Sequence, residues 1–285
     1  MEIEQAGWYF KNVFGNDSKY FDSVTKAHKF QNLTESDKPG QSYRTGIYLS
    51  NVENTKQGKE FNLMRCSTNF IGPTEQFVDC DHEIIEKVNK IAHEKYPDAP
   101  NLNHVLAQVY NNSVINGKEK KARIKGHSDK TKDMPDNGII AFVTFYDQPV
   151  ENEMAMCKLR FKSKGDTKKD FQVLLEPGSV FVIDLETNRQ YTHEISPSLL
   201  NVDKSPTRLG YVIRCSNTKA VYKDNKVFIV DNDKLEELQK PTMDNRKYIK
   251  NKYFDENSKV SKVCYDFINF SLNEGDYLEP ISHSD

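Results

Sequence analysis

The chain has 285 residues, 36% apolar and 29% charged, which suits a folded globular protein with a well-solvated surface and room for one large core plus appendages. No apolar stretch approaches the roughly 20 residues of a membrane-spanning helix, and the acidic start "MEIEQAGWYF" lacks the positive charge of a secretory leader, so the expected location is the cytoplasm or nucleus. Forty basic against 42 acidic residues leave a net charge of −2, which speaks against a dedicated nucleic-acid binder, and five scattered cysteines without CxxC spacing speak against a zinc knuckle or disulfide frame.

Residues 1 to about 80 carry short strand-like pieces, "TGIYLSNV" and "EFNLMRC", with "GPTEQF" as punctuation. The segments "GPTEQF" and "MRCSTNF" read as surface loops that could also border a substrate mouth. A helix is expected over 81–96, with Asp81 as a possible cap, Ile84, Ile85, Val88 and Ile91 on one face, and Pro97 ending it. The pattern then changes to period two: "HVLAQVY" (104–110), "GIIAFVTFY" (138–146), "CKLRF" (157–161), "FQVLLE" (171–176), "SVFVIDL" (179–185) and "LGYVIRC" (209–215) read as strands separated by turn chemistry. Within this run, "GKEKKARIK" (117–125) concentrates five basic residues, either a solvated hairpin tip or a local nucleic-acid patch. "AVYKDNKVFIV" reads as a further hairpin around Asp224-Asn225. The tail from about 232 is charged, rich in helix formers, and carries the aromatics of "RKYIKNKYF" and "VCYDFINFSL".

The expected architecture is therefore mainly β with flanking helices. A jelly-roll core over residues 100–231 follows an N-terminal strand and helix region over 1–99 and precedes a helical C-terminal appendage over 232–285.

"IKGHSDKT" holds the first chemical signal. His127 and Asp129, two apart on a strand, would point to one face and offer two ligands to one ion. Two histidines and one carboxylate on one side of iron(II) leave the other side open, as oxygenases require. A third ligand should come from a later strand, within about 6 Å of the first two, given metal bonds near 2 Å. Of the seven histidines, His28, His82, His93, His104 and His283 lie in polar, helical or terminal contexts; His193 alone follows the run of strands. "RLGYVIR" then supplies Arg208 and Arg214 on one face of a strand, roughly 20 Å apart along it. Buried arginines need anionic partners, and the far carboxylate of a keto-dicarboxylic acid is a fitting one.

The spacing HSD, then His193, then R-x-G-x-V-x-R resembles the AlkB-type branch of the iron(II)/2-oxoglutarate-dependent dioxygenases, whose pattern is HxD…H…RxNxTxR. The resemblance covers about residues 100–216. It implies a double-stranded β-helix using Fe(II), 2-oxoglutarate and O2, with His127, Asp129 and His193 on the metal. It also implies Arg208 and Tyr110 on the co-substrate, Gln108 where the family has Asn before that Tyr, and Arg214 beside the active centre. Gly210 and Val212 depart from the family's Asn and Thr. The implied activity is hydroxylation or oxidative demethylation, first of a methylated nucleobase in DNA or RNA. A protein side chain or a small molecule is the alternative substrate, and a non-catalytic cupin-like binder the alternative to an enzyme.

Overall fold

The computed structural model describes residues 1–34, 41–66, 70–166, 168–232 and 234–283. Eight antiparallel strands, labelled with the others in chain order, form its centre: β8 (His104–Tyr110), β11 (Ile124–His127), β12 (Ile139–Tyr146), β13 (Lys158–Ser163), β14 (Phe171–Leu174), β15 (Val180–Asp184), β16 (Tyr191–Ser196) and β17 (Arg208–Arg214). They divide between two facing sheets, β8-β17-β12-β15 in one and β11-β16-β13-β14 in the other. This division gives the double-stranded β-helix, or jelly roll.

Burial explains the strand patterns. Every residue of β12 is buried, which matches its unbroken apolar run and its central place between β15 and β17. In β13, Leu159 and Phe161 point inward while Arg160 and Lys162 are exposed, so the second sheet shows water one face.

The first sheet extends at both edges. β1 (Glu2–Ile3) and β2 (Gly7–Phe10) continue it beyond β15; β4 (Gln41–Ser50) and β3 (Gln31–Thr34) continue it beyond β8, and β7 (Glu75–Gln76) pairs parallel with β4. Two helices, α1 (Lys19–Ala27) and α2 (Asp79–His93), cover its outer face. Tyr20 and Val24 from α1, and Ile84, Ile85, Val88 and Ala92 from α2, bury against Val105, Ala107, Leu209, Tyr211 and Ile213 of the sheet. Asp81 is not the N-terminal cap expected of it. The helix starts at Asp79, and Asp81, in the third position, reaches back to accept the Val78 N–H at 2.8 Å.

A third sheet joins β5 (Val52–Thr55), β6 (Gly58–Leu63), β18 (Thr218–Lys223), β19 (Lys226–Asp231) and β20 (Lys234–Glu237). Its β18–β19 hairpin turns on Asp224 and Asn225, both at positive φ (50° and 61°), the conformation that Asp and Asn tolerate in two-residue hairpin turns. The basic segment forms another hairpin, β9 (Ser113–Ile115) with β10 (Lys118–Lys120), just before β11. A short helix not foreseen in the sequence, α3 (Leu185–Gln190), follows β15; Asp184 caps it by accepting the Thr187 N–H at 2.8 Å. The C-terminal extension carries α4 (Met243–Ser258), whose Ile249 and Tyr253 bury with Ile268 and Phe270. Among the described residues, no helix is long and apolar enough to cross a membrane.

Candidate metal centre

β11 and β16 are antiparallel neighbours, and their register sets His127 directly opposite His193. The two imidazole rings lie 4.5 Å apart, centre to centre. β11 ends at His127, so Asp129 is not on the strand as the two-residue spacing suggested; it turns back from the loop just beyond. Its Oδ1 lies 3.6 Å from His127 Nε2 and 3.8 Å from His193 Nε2. The three donor atoms thus fall well inside the 6 Å expected of a common ion, and they form one of two such clusters among the described residues.

The protonation pattern suits a cation. His127 Nδ1 lies 2.9 Å from the Lys125 carbonyl and donates to it, which fixes the ring with Nε2 turned toward Asp129. Burial, reinforced by the neighbouring His127, drops the His193 pKa to about 3 and keeps that ring neutral. Burial alone would raise the Asp129 pKa, but Arg214 and the two histidines outweigh it and hold the carboxylate ionised. Asp129 Oδ2 and His193 Nδ1 are buried with no hydrogen-bond partner among the described residues, although Arg214 Nη1 approaches Oδ2 at 3.7 Å. A buried carboxylate oxygen left in this state is costly unless an ion or ligand completes it.

The loop bearing Asp129 is fixed from two sides. Asn188 of α3 clamps the aspartate backbone, accepting its N–H and donating to its carbonyl, both at 2.9 Å. From α4, Asn257 accepts the Ser128 N–H at 2.9 Å, and Glu256 accepts both the N–H and the hydroxyl of Thr131 at 2.9 and 2.6 Å. Lys130 Nζ donates to the Tyr253 carbonyl and to Asn257. The C-terminal helix therefore helps to position the ligand loop.

Arg208, Gly210, Val212 and Arg214 alternate along the inward side of β17. Arg214 is 2% exposed; its Nη1 lies 3.3 Å from Cys66 Sγ, while Nε and Nη2 have no hydrogen-bond partner among the described residues. It pairs with neither Asp184 nor Glu186, which serve as the α3 cap and as a partner of Arg189. At the other end Arg208, 1% exposed, stacks its guanidinium 4.8 Å from the Tyr110 ring centre and donates from Nη2 to Thr144 at 3.2 Å, leaving Nε and Nη1 unpartnered. A Cβ on Gly210 would stand 2.8 Å from Arg208 Nη1, so the side chain folds back over the glycine toward the histidines. Two residues of strand are about 7 Å, and this fold-back shortens the span to the ligand cluster accordingly. Tyr110 donates its hydroxyl to Gln108 Oε1 at 3.3 Å, and the three co-substrate candidates, Arg208, Tyr110 and Gln108, share with Arg214, expected beside the active centre, the face turned to the second sheet.

Several neighbours carry no motif. Arg44 on β4, in register with Tyr110, reaches Gln108 Oε1 at 3.5 Å with its Nε buried and unpartnered. His104, opposite Arg214 on β8, is buried, and burial with the arginine beside it lowers its pKa to about 3. The segment "MRCSTNF", read as a surface loop that could also border a substrate mouth, is not a surface loop where described: Arg65 is buried and locked against Asp133 by a bidentate pair, and Cys66 is buried beside Arg214; residues 67–69 lie outside the described residues.

The family model of the 2OG-Fe(II) oxygenase superfamily matches residues 65–215 of the 285, more than half of the chain. Among solved structures, OsALKBH1 is similar at 12% identity and a TM-score of 0.48, over 75% of this chain and 99% of that one. A prolyl-4-hydroxylase from Pseudomonas putida is similar at 10% identity and a TM-score of 0.43, over 74% of this chain and 94% of that one. No curated protein matches the chain. The matched span contains both clusters of inward residues described above, and the chain belongs to the 2OG-Fe(II) oxygenase superfamily, enzymes that depend on iron(II), 2-oxoglutarate and O2.

Proposed function

We propose that His127 Nε2, Asp129 Oδ1 and His193 Nε2 hold the iron, and that the enzyme oxidatively demethylates a methylated nucleobase in DNA or RNA. The observation that carries the metal assignment is the convergence of these three atoms on one point, with the Asp129 carboxylate buried and its second oxygen left without a hydrogen bond among the described residues. When bound, the iron supplies the oxidising chemistry: 2-oxoglutarate is decarboxylated to succinate and CO2, one atom of O2 enters succinate and the other enters a substrate C–H bond. An N-methyl group so hydroxylated becomes a hemiaminal, which falls apart to formaldehyde and the bare nitrogen.

The chain's own part is to bind and orient. Arg208 offers its guanidinium, with Nε and Nη1 still free among the described residues, to the far carboxylate of 2-oxoglutarate, and an edge that Nη2 shares with either nitrogen makes the two-point contact that lysine could not. Tyr110 and Thr144 hold that guanidinium in place, and Gln108 extends the polar cradle toward Arg44. Arg214 steadies Asp129 from the side opposite the histidines. Phe142 and Phe161 pack against His193 at 5.3 and 5.7 Å and keep water from that side of the ring.

The nucleobase reading is supported by the AlkB-like spacing and by the basic hairpin next to the ligand strand. On that hairpin Lys118 and Arg123 are exposed, whereas Lys121 is committed to the carbonyls of Ser198 and Leu200. The test is a mass-resolved screen of methylated oligonucleotides, peptides and small molecules with iron(II), ascorbate and 2-oxoglutarate. Loss of a methyl group from an oligonucleotide, absent in His127→Ala, is the expected result. Stable gain of one oxygen on a peptide or small molecule, with oligonucleotides untouched, overturns the nucleobase reading. Succinate release by His127→Ala equal to wild type overturns the metal assignment.

A further inference from the structure

A second cluster of metal-ligating side chains lies on the opposite, helix-covered side of the first sheet: His28, Glu75 and His283. His28 stands at the C-terminal end of α1, Glu75 is on β7, and His283 belongs to the C-terminal segment that runs parallel to β7. Backbone bonds fix that segment: Gln76 N–H donates to the Ile281 carbonyl at 2.8 Å and Ile281 N–H to the Thr74 carbonyl at 3.0 Å. The side chains of His28 and Glu75 are buried (0% and 5% exposed), while His283 is exposed.

The proton arrangement around His28 is directional. Asp81 is fixed as an acceptor by the Val78 N–H and the Tyr211 hydroxyl, each at 2.8 Å. It takes the Nε2 proton of His28, also at 2.8 Å. A histidine so tied to a carboxylate presents its other nitrogen as the ligand atom, the arrangement in which metal-binding histidines are held. That nitrogen, Nδ1, faces Glu75 Oε2 at 3.0 Å, and the His283 ring lies 6.1 Å from the His28 ring. One donor atom from each of the three residues lies within 4.8 Å of the others. Nδ1 and the Glu75 oxygen point at one another across 3.0 Å, and a divalent ion seated between them and His283 would meet all three donors.

We propose that His28 Nδ1, Glu75 and His283 form a second, structural site for a zinc-like divalent ion, with Asp81 orienting His28 from behind. Two imidazoles, one carboxylate and a water make an ordinary tetrahedral set for zinc. The ion would tie the C-terminal segment to the end of α1 and to β7, far from the chemistry and on the other face of the sheet. Because His283 is exposed and near the chain's last described residue, closing the remaining distance requires no movement of the core.

Zinc stoichiometry after chelation, reloading and gel filtration tests this. The wild-type chain is expected to retain two zinc ions, the His127→Ala/Asp129→Ala variant one, and His283→Ala one. The three substitutions together should leave none. Zinc should raise the Tm of the His127→Ala/Asp129→Ala variant, and adding His283→Ala or Glu75→Gln should cut zinc affinity at least tenfold. Succinate release by His283→Ala should match wild type. The proposal is overturned if the His127→Ala/Asp129→Ala variant retains no zinc, or if neither His283→Ala nor Glu75→Gln weakens its zinc binding. Failure of the iron assignment shows up separately, as zinc retention unaffected by His127→Ala/Asp129→Ala.

Discussion

Leu209, Tyr211 and Ile213 of β17 pack beneath α1 and α2, while Arg208 and Arg214, on the same strand, turn to the other sheet with donors that no described residue satisfies. The same division runs through β8, where Val105, Ala107 and Val109 face the helices and His104, Gln108 and Tyr110 face inward. On the helix side, apolar burial stabilises the fold. On the inner side, buried cations and orphaned nitrogens cost stability until an anion arrives. On β8 and β17, then, one face carries apolar residues that pack under the helices and the other carries the polar residues that await a ligand. The difference teaches where to look for function: in buried polar atoms that folding alone leaves without partners.

The largest effect expected from this contrast is at Arg208. Arg208→Met keeps the stem and removes the charge. The KM for 2-oxoglutarate should rise on the order of 100-fold or more, since losing one side of a buried charge pair costs about 2–5 kcal/mol of binding. The Tm of the co-substrate-free protein should stay level or increase, because a buried cation with no counter-anion among the described residues has gone. Steady-state kinetics beside a thermal melt reads both. A variant that melts early and keeps its KM would erase the distinction between the two faces.

The mirror experiment is Ile84→Ala on α2, at a site with no exposure. Removing these methylenes should cost about 2–5 kcal/mol of stability, a Tm drop of roughly 5–15 °C for a chain of this size. Below the melt, KM and kcat should be those of wild type. A shift in KM for 2-oxoglutarate comparable to that of Arg208→Met would show that the faces are coupled.

The helix side was the more legible of the two in the sequence. Ile84, Ile85 and Val88 announce α2 by spacing, and the unbroken apolar run of β12 announces a central strand. The inner side was legible where a motif stayed local, as in His127-x-Asp129 and Arg208 to Arg214. It was hidden where contacts were remote. "YTHEIS" alternates buried Tyr191, His193 and Ile195 with Thr192, Glu194 and Ser196, but its polar half masks a strand that only pairing with β11 and β13 makes plain. Arg44 enters the site solely because β4 lies beside β8, 64 residues on from it at Gln108. Asn188 depends on the short helix that Asp184 caps, in a stretch that reads as the end of a strand. The bracing by Glu256 and Asn257 spans more than 120 residues, and no local pattern signals it.

Gly210 sharpens the comparison at its smallest scale. The AlkB-type pattern has Asn between the arginines; here the space its side chain would fill is taken by Arg208, whose Nη1 and Nη2 would lie 2.8 and 3.0 Å from an added Cβ. Tyr110 Cε2 would lie at 3.1 Å on the other side, so the ring leaves the guanidinium little room to shift sideways. The contacts are to the far end of a flexible side chain and to a ring edge, not to backbone. Gly210→Ala should therefore fold with a stability change within about 1 kcal/mol, yet push the guanidinium off the path toward the histidines. A displacement of that kind should raise the KM for 2-oxoglutarate about tenfold, equivalent to about 1.4 kcal/mol, with kcat at saturating co-substrate nearly unchanged. Unaltered KM in a well-folded Gly210→Ala protein would mean that the fold-back of Arg208 over the glycine has no part in holding the co-substrate.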